Sequence, residues 1–310
     1  MGNILITALI AILLLISPTP CQACWGTRPL AMGGAFSGVA DDGNAIYWNP
    51  AGLALSGQVQ ISTMHNIGAA NDSNYDQYVG MVIPTGNYGA LGLAYVYNKD
   101  FLYRLNGRKY GFLRDEYWQI GYGIFLDKDR SVSLGMSFKA VATERNTGVR
   151  VVENDWYDLD FGGMWLFGKT MGKSKMFSLG FLLQNASEAQ FMRKDSAAEM
   201  IRNLRPGLSF RPDEKTVLSV ELYDALGKTK NSSEDVSRDV RLGIERQFTD
   251  YFVLRAGVYH VNNDIYRAYT GGIGIKPFQR WDIDLELEWT IMLWDKSRTY
   301  THFAGVVYRY

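Results

Sequence analysis

Apolar and polar residues alternate with a period of two through most of the chain. In Trp281-Asp282-Ile283-Asp284-Leu285-Glu286-Leu287-Glu288-Trp289 every odd position is apolar and every even one acidic. A β-strand turns successive side chains to opposite faces, so this spacing predicts a sheet with one greasy and one hydrophilic side. Val132, Leu134, Met136 and Phe138 alternate with Ser133, Gly135, Ser137 and Lys139. Val240, Leu242 and Ile244 alternate with Arg241, Gly243 and Glu245. Such segments lie near 57–67, 75–84, 88–97, 116–126, 131–145, 154–167, 176–184, 204–211, 214–224, 239–248, 251–260, 268–278, 280–290 and 302–310, fourteen predicted strands in all. Most have the ~9–11 residues that carry a tilted strand across a bilayer.

The connections carry a second pattern. The odd-numbered ones, 68–74, 98–115, 146–153, 185–203, 225–238, 261–267 and 291–301, read as long. The even-numbered ones read as tight turns (85–87, 127–130, 212–213, 249–250 and the bend at Pro277), with only 168–175 longer. Sorted this way, all long loops emerge at one end, as in outer-membrane barrels. In lipid every backbone N–H and C=O must be paired within the protein, and a closed barrel has no edge strand. The fold class predicted is therefore all-β: a closed 14-stranded antiparallel transmembrane β-barrel, apolar face outward and polar face inward. Tyr78, Tyr97, Trp118, Trp281 and Trp289 are expected in interfacial girdles. Lys139, Arg205, Arg211, Arg241 and Arg255 fall on inward positions and can offset Asp282, Asp284, Glu286 and Glu288. The last strand ends on Tyr310, similar to the terminal signal read by outer-membrane assembly machinery.

Composition adjusts this picture in a few places. Glycine (32 residues) and aromatics (14%) are plentiful and proline (8) is scarce, which suits long strands. Lys+Arg and Asp+Glu are equal at 32 each, so no basic surplus points to nucleic acid. Ile4–Ile16 is almost wholly apolar and too short for a spanning helix; residues 1–23 read as a signal peptide with Ala23 before the cut. Cleavage there would make Cys24 the first mature residue, and Cys21-Gln22-Ala23 is a poor approach to a lipidation site.

Residues 24–56 do not read as barrel strand. Ala31, Gly33, Gly34, Ala35, Gly38 and Ala40 allow close backbone packing, and Asn49-Pro50 sets a turn or helix start. A compact piece before a barrel (57–310) predicts an N-terminal plug, or hatch. Arg28, Ala31 to Phe36, Ala40 to Asp42, Ala45 and Trp48 to Leu53 form an R-x-x-A-M-G-G-A-F … A-D-D … W-N-P-A-G-L pattern. This stretch resembles the N-terminus of the FadL-like (long-chain fatty acid transporter) superfamily, closest to its PorV/PorQ-like branch. The resemblance implies a fourteen-stranded outer-membrane barrel whose plug motif includes Arg28, Met32, Gly33, Gly34, Phe36, Asp41, Asp42, Trp48, Asn49, Pro50, Ala51 and Gly52. It also implies passage of hydrophobic, fatty-acid-like molecules through a plugged lumen and a lateral wall opening, or service to a secretion translocon and secreted proteins. A structural barrel with a permanently closed plug is the third reading.

Under the transport reading, Phe36 and Trp48 line a lumen cavity, and Phe101, Leu102, Tyr103, Phe112, Leu113, Phe191 and Met192 form a greasy outer mouth. Gly162, Gly163, Pro206, Gly271 and Gly272 would mark wall kinks, because glycine and proline disturb ladder pairing. Catalysis finds little footing. His65, His260 and His302 lie on different strands without metal-ligand spacing, and Asp41-Asp42-Gly43-Asn44 lacks the later ligands of a calcium loop. No cofactor, metal or catalytic residue is assigned, and the expected partners are membrane lipid, a hydrophobic small molecule or a secretion component.

Overall fold

The computed structural model describes residues 25–69, 74–105, 108–147, 150–172, 174–187, 202–227, 238–262, 267–277 and 284–310. The predicted signal peptide, Cys24, Phe191, Met192 and Trp281–Ile283 lie outside them. Fourteen strands form one closed sheet: β1 (Gln60–Ala69), β2 (Asn74–Pro84), β3 (Ala90–Leu105), β4 (Arg108–Phe125), β5 (Val132–Asn146), β6 (Val151–Met171), β7 (Ser174–Gln184), β8 (Asn203–Asp213), β9 (Thr216–Tyr223), β10 (Asp239–Thr249), β11 (Phe252–Tyr259), β12 (Ala268–Ile275), β13 (Asp284–Trp294) and β14 (Tyr300–Arg309). Each pairs antiparallel with its sequence neighbours, and β1 closes on β14 from Gln60↔Arg309 to Ala69↔Thr301.

The alternation sorts side chains as expected. On β5, Leu134, Met136 and Phe138 are 49%, 47% and 42% exposed outside, while Ser133, Ser137 and Lys139 are buried inside. On β13, Glu286, Glu288 and Thr290 point inward and are buried. The outer apolar surface runs round the whole barrel, far more than a water-soluble domain keeps exposed. Tyr78 departs from the expectation. It faces inward, fully buried, and its hydroxyl donates to the Gly43 carbonyl at 3.1 Å, so it is no girdle residue.

Two predicted loops are strand. Most of 98–115 belongs to β3 and β4, paired from Asn98↔Asp115 out to Leu105↔Arg108. Half of 146–153 belongs to β5 and β6, paired out to Asn146↔Val151. The backbone of Phe101, Leu102, Tyr103, Phe112 and Leu113 therefore lies in a hairpin and not in a loop mouth. Phe112 faces outward, with the Lys99 ammonium 4.0 Å from its ring centre. The 168–175 segment is likewise strand, with β6 reaching Met171 and β7 starting at Ser174. Antiparallel pairing satisfies backbone groups whatever the side chains, so charged segments continue the ladder once the apolar band ends.

The glycine kinks are absent too. Register runs without a shift through Gly162 and Gly163 in β5–β6–β7, and through Gly271 and Gly272 in β11–β12–β13. Pro206 pairs in register with Phe181 on β7, and the β8–β9 ladder begins one residue beyond it at Gly207↔Glu221. Register shifts fall instead at Asn66/Gly68, Phe167/Thr170, Phe210/Asp213 and Gln247/Thr249.

The N-terminal segment lies inside the barrel. It comprises α1 (Thr27–Ala31), α2 (Ala45–Trp48) and a 3-10 helix (Pro50–Leu55), and nearly every residue is buried. Gly33 and Gly34 adopt φ of 63° and 70°, turning the chain after α1 where a side chain would be strained. The wall makes room with glycine as well: a Cβ on Gly135 would sit 2.2 Å from the Pro50 carbonyl carbon, and one on Gly162 would sit 2.1 Å from Asn49 Oδ1. Gly162→Ala is therefore expected to destabilise the protein by about 1–3 kcal/mol through overpacking. Gly163→Ala points its methyl outward, 3.6 Å from Leu134 Cδ2, and should leave stability unchanged. Thermal melting of the two variants in detergent checks this; equal melting temperatures would mean that the segment does not seat against β6.

Candidate functional site

Inward-facing charges and the N-terminal segment meet in the lumen, and the charged groups there pair in two main clusters. Arg28, on α1, donates through NH1 to Asp41 Oδ1 (2.6 Å) and Asp42 Oδ2 (2.8 Å). Its Nε and NH2 form a fork on the Glu245 carboxylate of β10, at 2.7 and 2.8 Å. Arg255 of β11 donates to Glu245 (2.6 Å), Glu288 (2.8 Å) and Glu286 (2.8 Å). Arg309 reaches Glu286 at 3.1 Å, and Arg211 of β8 reaches Asp41 at 3.0 Å. One chain of ion pairs thus crosses from β8 through the N-terminal segment to β14. Charges this deep persist only when paired and hydrogen-bonded, and removing one partner typically costs about 3–5 kcal/mol.

A second cluster holds the turn after α1. Glu221 Oε2 accepts the N–H groups of Phe36 (3.2 Å) and Ser37 (2.8 Å). Its Oε1 accepts from Arg205 at 2.6 Å, and Arg241 NH1 lies 3.5 Å away. The Arg241 guanidinium lies 4.1 and 4.2 Å from the ring centres of Tyr223 and Tyr259, and it donates to the Tyr259 hydroxyl at 2.9 Å. The motif asparagine makes the third anchor. Asn49 caps the 3-10 helix by accepting the Ala51 N–H (3.1 Å), and its amide donates to the carbonyls of Ser37 (2.8 Å) and Gly163 (3.2 Å).

Phe36 and Trp48 pack edge to face with ring centres 6.0 Å apart, and both are 0% exposed. The Arg28 guanidinium lies 5.2 Å from the Phe36 ring centre, and that of Arg205 4.7 Å from Trp48. The Trp48 indole N–H donates to the Trp25 carbonyl at 2.6 Å. The expectation that these two rings line a lumen cavity is therefore not met in this conformation. Contact with a ligand requires the segment to shift, because side chains and not open space surround both rings.

The structure brings together Arg28, Asp41 and Asp42, and separately Phe36, Trp48 and Asn49. Met32 is buried, Gly33 donates its N–H to Thr270 Oγ1 (3.1 Å), Gly34 abuts Tyr259, and Gly52 packs against the Ala40 carbonyl. Phe101 and Tyr103 are placed only as β3 backbone, away from this group. Sequence reasoning assigned no role to Glu221, Glu245 or Trp25. Both glutamates stand on inward positions of alternating strands, a signal that marks them as lumen residues without naming their partners.

At the long-loop end, Lys139 pairs with Asp160 at 2.8 Å, and Asp158 and Asp160 accept the N–H groups of Ser187 (3.0 Å) and Asn185 (2.8 Å). His260, just past β11, adopts φ 56° with Nδ1 3.0 Å from Asp239 Oδ2. Burial, reinforced by Arg241, pushes its imidazole down to about 4 in spite of the Asp239 carboxylate.

No protein-family model and no curated protein sequence matches the chain. Solved structures do. A FadL homologue from Pseudomonas aeruginosa superposes with a TM-score of 0.55 at 12% identity, over 92% of this chain and 98% of that one. The toluene transporter TodX of P. putida gives 0.59 at 12% identity, over 92% and 98%. CymD, a monoaromatic hydrocarbon channel, gives 0.60 at 12% identity, over 92% and 96%. The fold is therefore FadL-like.

His260 generates a pH expectation. Its pKa is lower folded than unfolded (6.5), so its neutral form favours the fold above that value, and the benefit is lost as pH falls toward about 4. His260→Asn, which tolerates the same left-handed backbone, should flatten the loss of melting temperature between pH 7.5 and 5. Parallel pH profiles for wild type and variant would contradict the assignment.

Proposed function

We propose that the protein is an outer-membrane barrel that passes hydrophobic small molecules, with residues 1–23 its export signal and 24–56 a plug across its lumen. The observation that carries this reading is the combination of a sealed wall, apolar outside, with an interior already filled by the N-terminal segment. A wall without free edges and with a greasy exterior suits hydrocarbon as its solvent. A filled, charged interior offers a small hydrophilic solute no open water path. TodX and CymD share the fold, and their described cargoes are toluene and monoaromatic hydrocarbons, which supports a hydrophobic cargo here.

The route proposed runs from the long-loop end past a displaced plug and out sideways through the wall. Pro206, which lacks an N–H and precedes the first β8–β9 pair, favours that seam over the glycine positions. A second reading, a PorV-like accessory barrel serving a secretion translocon or secreted proteins, is favoured by the absence of exposed surface on Phe36 and Trp48. It is favoured further by the long β3–β6 hairpins, a platform beyond the apolar band.

Uptake distinguishes the readings. Gram-negative cells lacking their own FadL-type transporters and expressing this barrel should accumulate labelled toluene or oleate several-fold faster than cells carrying an empty vector. A folded, outer-membrane-located barrel with no gain in uptake, recovered with a stable secretion partner, would overturn the transport reading in favour of the accessory one.

A further inference from the structure

The ion-pair chain through the lumen has a joint at which it can part with its deepest charges still paired. Arg28 holds Glu245 across the boundary between segment and wall, but it also holds Asp41 and Asp42 within the segment. Glu245, in turn, is also held by Arg255 within the wall. Separation between Arg28 and Glu245 leaves each with an opposite charge on its own side. Glu221 likewise keeps Arg205 and Arg241 when it releases the Phe36 and Ser37 N–H groups. The remaining link, Arg211 to Asp41, involves a carboxylate already 27% exposed, so water can replace it. Parting along this line costs hydrogen bonds and not the larger penalty of a stranded buried charge.

Wall glycines seat the segment by shape as well. Around Asn49–Leu55 the backbone packs into spaces left by Gly123, Gly135 and Gly162, where no Cβ fits. Asn49 adds its bond to the Gly163 carbonyl of β6. On the α1 side Gly243, Gly257 and Gly272 leave no room for a Cβ either, and side-chain hydrogen bonds also tie the segment to β12 and β13. Thr270 Oγ1 donates to the Ala31 carbonyl (3.0 Å) and accepts from Gly33, and Thr290 Oγ1 donates to the Thr27 carbonyl (3.0 Å). Both sides interlock by shape, and the Arg28–Glu245 pair and the two threonine fastenings lie on the α1 side.

We infer that the Arg28–Glu245 pair is a latch, and that the N-terminal segment opens by moving α1 away from β10–β13, where the bonds that can part without stranding a charge lie. The inference rests on the reading of this segment as a plug, and not on which solute passes. It assigns Glu245 a conformational role that burial alone does not require, because both arginines it touches have other carboxylates.

Single-barrel conductance in planar bilayers, with potassium chloride as the probe, tests it without any hydrophobic cargo. Wild type should sit almost always in a closed level. Glu245→Gln should raise the open fraction about tenfold or more, the scale of a lost charged hydrogen bond. Thr270→Val with Thr290→Val removes the uncharged fastenings on the same side and should raise it too, so the test survives if the Glu245 variant does not fold. Arg246→Gln, which breaks an exposed pair with Asp213 on the outer rim, should behave as wild type. Folded latch variants that stay closed, or an Arg246 variant that opens as readily as they do, would overturn the inference. Because the readout is ionic current, failure of hydrophobic uptake would leave the latch result standing.

Discussion

An arginine or glutamate turned into a narrow, water-poor lumen has to find a partner of opposite charge there. That demand organises the interior of this barrel. The wall presents Lys139, Arg205, Arg211, Arg241 and Arg255 together with Asp160, Glu221, Glu245, Glu286 and Glu288, and the N-terminal segment adds Arg28, Asp41 and Asp42. Within the wall, Lys139 pairs with Asp160 and Arg255 with Glu286 and Glu288. Across the boundary, Glu245 takes Arg28 as well as Arg255, and Arg211 takes Asp41. Segment and wall therefore specify each other, and the sequence motif at the N-terminus reads as one half of a lock whose other half is spread over β8 to β11.

The outer face obeys the complementary rule. With most polar groups turned inward, apolar and aromatic residues dominate the outer rows, while β1 and β14 carry Thr63, His65 and His302 among theirs. Closure of β1 on β14 removes the last unpaired edge. Where the apolar rows stop, charged pairs such as Arg114–Glu144 and Arg246–Asp213 appear on the outside. They bound the greasy band at its two ends.

Much of this was legible in the sequence because strand polarity has a fixed period. All fourteen strands, the inward sense of the arginines and acids, and the non-strand character of residues 25–56 follow from the side on which each residue falls. Strand length was less legible. Lys99, Arg114 and Asp115 look like loop residues, yet the β3–β4 ladder continues through them, since pairing depends on backbone and not on polarity. Tyr78 shows the same limit from inside: its aromatic character suggested an interface, but its position on β2 turns it into the lumen. Pairing partners were out of reach. Arg28 and Glu245 are separated by most of the chain, and only the register of the closed sheet brings them together. Two of the glycines misled for a related reason, since Gly162 and Gly272 make room for the segment inside and lie in unshifted ladders.

The central claim is that greasy rows face lipid while the N-terminal tryptophans are sealed within the lumen. Fluorescence quenching by lipids brominated on their acyl chains, applied to single-tryptophan variants in bilayers, tests it most directly. Trp165, 51% exposed on the outer face, should be strongly quenched, and Trp48, fully buried beside Arg205, should be untouched. Equal quenching of the two, or quenching of Trp48 alone, would contradict the account.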